Sequence, residues 1–206
     1  MAARFQSVKR IARVAALIAL IGGALDAALG VTASAEDLGP PAGAKAPDIG
    51  TRLDQTGKPR TFADLMGANG LVLMFFRSAD WCPYCQAQLI DVNSGIAEIE
   101  KRGYHVAALS YDSPEILQAF TAKRHIAYTF LSDPKSEVID LYGLRDPQYS
   151  PGSRAYGVPR PIIFILDKNG VIKTKLFEES FKVRPPVTAV ITALDELGKG
   201  SCNCGV

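Results

Sequence analysis

Histidine is nearly missing from this chain. Its 206 residues include only His105 and His125, and neither falls in a metal-ligand pattern. An excess of one charge sign is missing too. Lys and Arg number 23 against 21 Asp and Glu, a formal net charge of +2. Setting residues 1–35 aside removes four positives (Arg4, Lys9, Arg10, Arg13) and one negative (Asp26), which leaves the rest near −1. A near-neutral body offers no electrostatic hold on nucleic acid or on an anionic membrane. No internal repeat is visible. Val14 to Ile21 is apolar but short, and Asp26 soon interrupts it, so it makes a poor membrane span. Cysteine is scarce, with four residues at positions 82, 85, 202 and 204. What is present is an apolar fraction of 48%, which suits one globular domain with a proper core plus an appendage or two.

The start reads as an export signal. A basic stretch leads into the apolar run and Gly22-Gly23, and Ala33-Ser34-Ala35 supplies small residues before Glu36. Cleavage after residue 35 is expected, with an uncleaved membrane anchor as the alternative and the only expected tie to a membrane. Export puts the body in the periplasm or outside the cell, where disulfides form and persist. Residues 36–47, rich in Gly, Pro and Ala, read as a linker. A domain is expected over 48–197, and a tail over 198–206.

Leu71 to Phe76 is an unbroken apolar run, as a strand covered on both faces should be. A polar turn follows, and a helix is predicted from Pro83 to Lys101, with Pro83 in its first turn. Further strands are expected at 104–109, 128–131, 161–166 and 171–177, with Asn169-Gly170 turning the last hairpin. Helices are expected from Ser113-Pro114 to Arg124, from Asp133-Pro134 to Tyr142, and over 186–197. Residues 143–158 read as a long loop. The order gives an α/β fold with a central mixed sheet flanked by helices.

Trp81-Cys82-Pro83-Tyr84-Cys85 sits directly after a buried strand and at a helix start. An attacking sulfur must be a thiolate, and a helix N-terminus favours that anion. A second cysteine one turn on is within disulfide reach and resolves a mixed disulfide. Cys82 is therefore the candidate nucleophile and Cys85 the resolving thiol. Half of a zinc site is the competing reading, but only Cys202, Cys204, His105 and His125 remain as partners. A purely structural disulfide would leave the position behind the strand unexplained.

Phe75-Phe-Arg-Ser-Ala-Asp-Trp-Cys-Pro-Tyr-Cys85 and Tyr156-Gly-Val-Pro-Arg-Pro-Ile-Ile-Phe-Ile-Leu-Asp167 resemble the thioredoxin-like superfamily, nearest its redoxin and peroxiredoxin-like (alkyl hydroperoxide reductase and thiol-specific antioxidant) branch. The resemblance covers about Ala46 to Leu197 and implies a thioredoxin-like fold. It implies that Pro161 is the cis-proline facing the disulfide, where the neighbouring backbone binds an extended substrate. Arg160, just before it, is expected either near Cys82, favouring its thiolate, or as a solvated loop residue. Trp81 borders the disulfide in the family, and Tyr84 is a candidate for a substrate platform. Two departures stand out. The peroxiredoxin signature Pro-x-x-x-Thr-x-x-Cys, read back from Cys82, meets Ala79 and Phe75 at the Thr and Pro positions. Thioredoxins carry a buried Asp in the strand before the motif, and here that region is Met74-Phe75-Phe76. Asp80 and Asp112 are the substitute candidates.

Cys202 and Cys204 form a Cys-x-Cys pair in the expected tail. Redox exchange with Cys82–Cys85 is the favoured role, with Cu(I) binding or an inert disulfide as alternatives. The leading expectation is an exported thiol-disulfide oxidoreductase acting on protein or small-molecule disulfides and recycled by a thiol partner protein. The first alternative is a peroxidase with Cys82 as its peroxidatic sulfur, and the second a copper or zinc carrier. No cofactor and no resident metal are expected.

Overall fold

The computed structural model describes residues 38–201. Strand β3, Gly70–Phe75, is buried along its whole length, as its uniformly apolar sequence requires. It lies between β4 (Tyr104–Ser110), which runs parallel to it, and β6 (Ile162–Asp167), which runs antiparallel. Beyond β4 come β5 (Thr129–Ser132), β1 (Arg52–Asp54) and β2 (Pro59–Arg60), and beyond β6 comes β7 (Ile172–Leu176). The sheet order is β2-β1-β5-β4-β3-β6-β7.

Alternation along β3 divides the core in two. Val72 and Met74, with Phe76 after the strand, point to one face, where they meet Leu89, Leu117, Val190 and Leu194. Those partners come from α2 (Pro83–Ser94), α4 (Pro114–Arg124) and α6 (Val187–Ser201). Leu71, Leu73 and Phe75 point the other way, toward Leu65 of α1 (Phe62–Leu65) and Val138 and Ile139 of α5 (Glu137–Leu141). Each such fully buried side chain contributes roughly 1.5–3 kcal/mol.

Several boundaries differ from the sequence expectation. The helix expected over 83–101 is two, because Gly95 separates α2 from α3 (Ile96–Lys101). A Cβ at Gly95 would lie 2.5 Å from Val187 Cγ2, so the start of α6 occupies the room a side chain would need. Asp133 does not begin a helix. It caps α5, accepting N–H bonds from Glu137, Val138 and Ile139 at 2.9–3.0 Å. At the last hairpin only Gly170 has positive φ, at 74°, while the Asp167 carboxylate accepts from Asn169 and Val171.

The described part of the expected linker packs onto the domain. Leu38 and Ala46 are buried, and Gly43 and Ala46 donate to the carbonyls of Ile172 and Gly170 at 2.8 Å. These bonds to the β7 end of the sheet stitch in a segment whose composition suggested freedom. Helix α6 also runs on through Gly198 to Ser201, beyond the expected end at Leu197. Cys202 and Cys204 lie outside the described residues, as does the expected export signal.

Candidate active site

Cys82 is the N-cap of α2, with extended backbone, and Pro83 takes the first helical position. Its Sγ accepts the Cys85 N–H at 3.3 Å. The two cysteines are joined as a disulfide with Cα atoms 5.3 Å apart. Cys82 is 2% exposed and Cys85 is fully buried. The partial positive charge of the helix end and its free N–H groups thus fall on Cys82, as the motif predicts.

The turn before Cys82 is held from beneath. Asp112, just past β4, accepts from Ser78 Oγ at 2.9 Å, from the Ala79 N–H at 2.7 Å and from Ser110 Oγ at 3.0 Å. Burial pushes the Asp112 carboxyl above its ordinary value, and those three donors oppose the push. Gln86 Nε2 ties the same turn to α2 through the carbonyls of Ala79 and Asp80. Asp112 therefore positions the turn through its backbone. Asp80, the other acid considered, is exposed and pairs with Arg154 at 2.5 Å.

Trp81 is half-buried, and its Nε1 donates to the Tyr111 hydroxyl at 2.9 Å. Tyr84 is 42% exposed beside the disulfide and meets Phe181 edge-on, with ring centroids 6.4 Å apart. Arg160, expected either near Cys82 or as a solvated loop residue, is half-buried at the entry to β6, where its backbone N–H donates to the Leu144 carbonyl at 2.7 Å. Pro161 is not cis, since the described residues contain no cis peptide bond. That N–H bond and the bridge between Arg145 and Pro159 carry the chain into β6 in extended form.

Two arginines not singled out from the sequence bring positive charge to the site. Arg184 Nη2 lies 3.6 Å from Cys85 Sγ. Its Nη1 donates to the carbonyls of Phe181 and Val183. Burial, and then the charge of Arg77, pull the Arg184 guanidinium down to about 10, so it stays protonated at neutral pH. Arg77 is 3% exposed and lies among rings: Phe181 at 4.2 Å, Trp81 at 5.1 Å and Tyr149 at 5.2 Å, centre to centroid. It also donates to the Tyr149 hydroxyl. Among the described residues neither arginine forms an ion pair with a carboxylate.

The loop carrying Arg184 is pinned to α2. Gln88 Nε2 donates to the Pro185 carbonyl at 3.2 Å, and Asp91 accepts the Val187 N–H at 2.7 Å. Arg77 stands inside the quoted motif segment, so its position was visible and only its burial was not. Arg184 is separated from Cys85 by 99 residues, and no spacing rule links them. His105 is exposed on β4, and His125 ends α4 with φ 51°. Among the described residues no group of three His, Cys, Asp or Glu side chains is placed to hold a metal ion.

The AhpC/TSA family model matches residues 42–175. Peroxiredoxin Bcp of Escherichia coli (strain K12) is 30% identical over 132 residues, covering 63% of this chain and 83% of the relative. The chloroplastic peroxiredoxin Q of Sedum lineare is 28% identical over 149 residues, covering 71% of this chain and 74% of the relative. Among solved structures, AhpC of Enterococcus faecalis superposes with a TM-score of 0.66 at 18% identity, covering 80% of this chain and 96% of that one. Peroxidoxin BcpB of Mycobacterium tuberculosis gives 0.63 at 21% identity, covering 77% and 96%. The expected thioredoxin-like α/β fold is the observed one. Phe181 and Arg184 lie beyond the matched family segment.

Proposed function

Because the chain belongs to the AhpC/TSA family and is an oxidoreductase, we propose that it is a thiol peroxidase whose working groups are Cys82 and Cys85. The observation that carries this reading is the buried cysteine pair at a helix start with the Arg184 guanidinium against one of its sulfurs. One thiolate of the pair attacks a peroxide oxygen, the O–O bond breaks, and an alcohol or water leaves. The sulfenic acid that forms condenses with the second thiol, releasing water and giving the disulfide. An external dithiol then reduces the disulfide by exchange. Fixed positive charge supports the first step because the leaving oxygen develops negative charge.

The departures at Ala79 and Phe75 favour a second reading, the thiol-disulfide oxidoreductase, in which the same pair exchanges directly with substrate disulfides. The two readings separate in one experiment. Reduced protein is supplied with a dithiol and either hydrogen peroxide or insulin. Peroxide turnover well above that of the dithiol alone is expected. Insulin reduction without peroxide turnover would replace the peroxidase with the exchange enzyme.

The reading includes action in the periplasm or outside the cell, supported by the signal-like composition of residues 1–35. N-terminal sequencing of the exported protein is expected to begin at Glu36. A start at Met1 in a cytosolic fraction would count against export.

A further inference from the structure

We infer that Cys85, rather than Cys82, is the sulfur that attacks peroxide, with Arg184 as its counter-charge, and that Cys82 is the sulfur the external reductant attacks. The inference rests on the peroxidase reading and divides its two half-reactions between the two cysteines.

The surroundings of the two sulfurs differ. Cys82 Sγ meets a neutral N–H at 3.3 Å and the partial charge of a helix end. Cys85 Sγ meets a full guanidinium charge at 3.6 Å. Arg184 remains protonated at neutral pH, has no carboxylate partner among the described residues, and has Arg77 as a second cation nearby. Arg184 is half-buried, and a cation partly withdrawn from water with no anion beside it is costly. In the reduced protein a Cys85 thiolate supplies that anion at the distance already observed.

Both sulfurs are buried, Cys82 at 2% exposure and Cys85 at 0%, with exposed Pro83 and Tyr84 between them in the chain. Cys82 stands at the N-cap of α2 and Cys85 within its first turn, so the guanidinium and not exposure distinguishes them. Spacing agrees: in Pro-x-x-x-Thr-x-x-Cys the threonine stands three residues before the reactive cysteine, and Cys82 stands three before Cys85. With Cys85 as the signature cysteine, the Cys82 thiol takes the hydroxyl's place and Ser78 takes the proline's.

The steps balance. The Cys85 thiolate attacks one peroxide oxygen, an S–O bond forms and the O–O bond breaks. Two electrons pass from sulfur to the peroxide, and the leaving oxygen takes a proton from water as alcohol or water. The Cys82 thiolate then attacks Cys85 Sγ, and the hydroxyl leaves as water with a second proton. A reductant thiolate next attacks Cys82 Sγ, and Cys85 departs as a thiolate onto Arg184. The same guanidinium thus stabilises the attacking sulfur in one half-cycle and the leaving sulfur in the other, and a better-stabilised leaving thiolate departs faster.

The test uses the full chain as Cys82→Ser and Cys85→Ser variants. Each is reduced and mixed with hydrogen peroxide and a sulfenic-acid trap, and the modified cysteine is then mapped by mass spectrometry. Cys82→Ser is expected to react once, to carry the trap on Cys85 and to lose turnover with the dithiol, because no second thiol resolves the sulfenic acid. Cys85→Ser is expected to react on the order of a hundredfold more slowly or worse, with no trap on Cys82. Rapid reaction of Cys85→Ser with the trap on Cys82 would overturn the assignment while leaving the peroxidase intact. An unmodified protein that consumes no peroxide would instead remove the peroxidase reading itself. Titrating the Cys85 thiol in Cys82→Ser, with and without Arg184→Met, guards against a misfolded variant. Removing Arg184 is expected to raise that pKa, and an unchanged value would overturn the counter-charge role.

Discussion

Arg102 and Arg184 meet their surroundings in opposite ways. Arg102 lies at the surface beyond α3 and donates to Asp195 at 2.7 and 3.1 Å and to Glu98 at 2.8 Å. Its hydrogen bonds to Asp195 and then Glu98 hold the guanidinium above its ordinary value. Arg52, Arg60, Arg145 and Arg154 are likewise paired with carboxylates. Arg184 and Arg77 are withdrawn from water and surrounded by rings, carbonyls and a disulfide sulfur. These five arginines are paired with acids, whereas the two beside the cysteine pair meet no carboxylate among the described residues. A cation placed there without an acid can serve an anion that comes and goes, and the pair's own thiolate is such an anion.

The largest effect is expected from neutralising the arginine beside Cys85. Arg184→Met is expected to slow peroxide consumption by about 10²- to 10³-fold, as removal of a preorganised donor to developing charge does. The melting temperature of its oxidised form should hold or rise, since a half-buried charge without a carboxylate partner is lost. A variant with full activity and a lower melting temperature would make Arg184 an ordinary structural residue.

Asp112 is expected to give the next largest effect. Asp112→Ala leaves the Ala79 N–H and Ser78 hydroxyl without their acceptor, which costs about 1–3 kcal/mol in urea unfolding. The pH dependence has a definite sign. The folded protein holds the Asp112 proton more tightly than the unfolded chain does, because burial raises its pKa. Stability from this group is therefore full below the unfolded carboxylate value and is lost as pH rises through the folded one. Relative to Asp112→Asn, the unmodified protein should lose stability between those two values. A pH-independent difference would show that the carboxyl is not held protonated by burial.

The smallest effect is expected from Arg102→Ala. Its partners are exposed, so neither the melting temperature nor peroxide turnover should move measurably. A loss of turnover comparable to that of Arg184→Met would erase the distinction between the two arginines.

The sequence disclosed those parts that local chemistry decides. A continuous apolar run gave β3, and a proline after a cysteine gave the start of α2. Gly170 turned the last hairpin. Parts decided by packing were hidden. Gly95 breaks a helix because Val187 arrives beside it from α6. Asp133 became a cap and not a helix residue, with Ser136 at φ 58° between the two. The segment around Leu38 and Ala46 looked like a linker because its bonding partners lie in the distant β7 hairpin. The cysteine pair was legible from spacing, but its cationic environment was not. Arg184 arrives 99 residues later, on a loop whose position depends on Gln88 and Asp91 of α2.

Trp81 provides the most direct test of the central claim, since it is the single tryptophan and precedes Cys82. Reduced protein is titrated with hydrogen peroxide while Trp81 fluorescence is followed and the disulfides formed are mapped. A rapid emission change is expected, ending when one peroxide per chain has been consumed, with Cys82 joined to Cys85. Reduced Cys82 and Cys85 surviving excess peroxide, with emission unchanged, would contradict the claim.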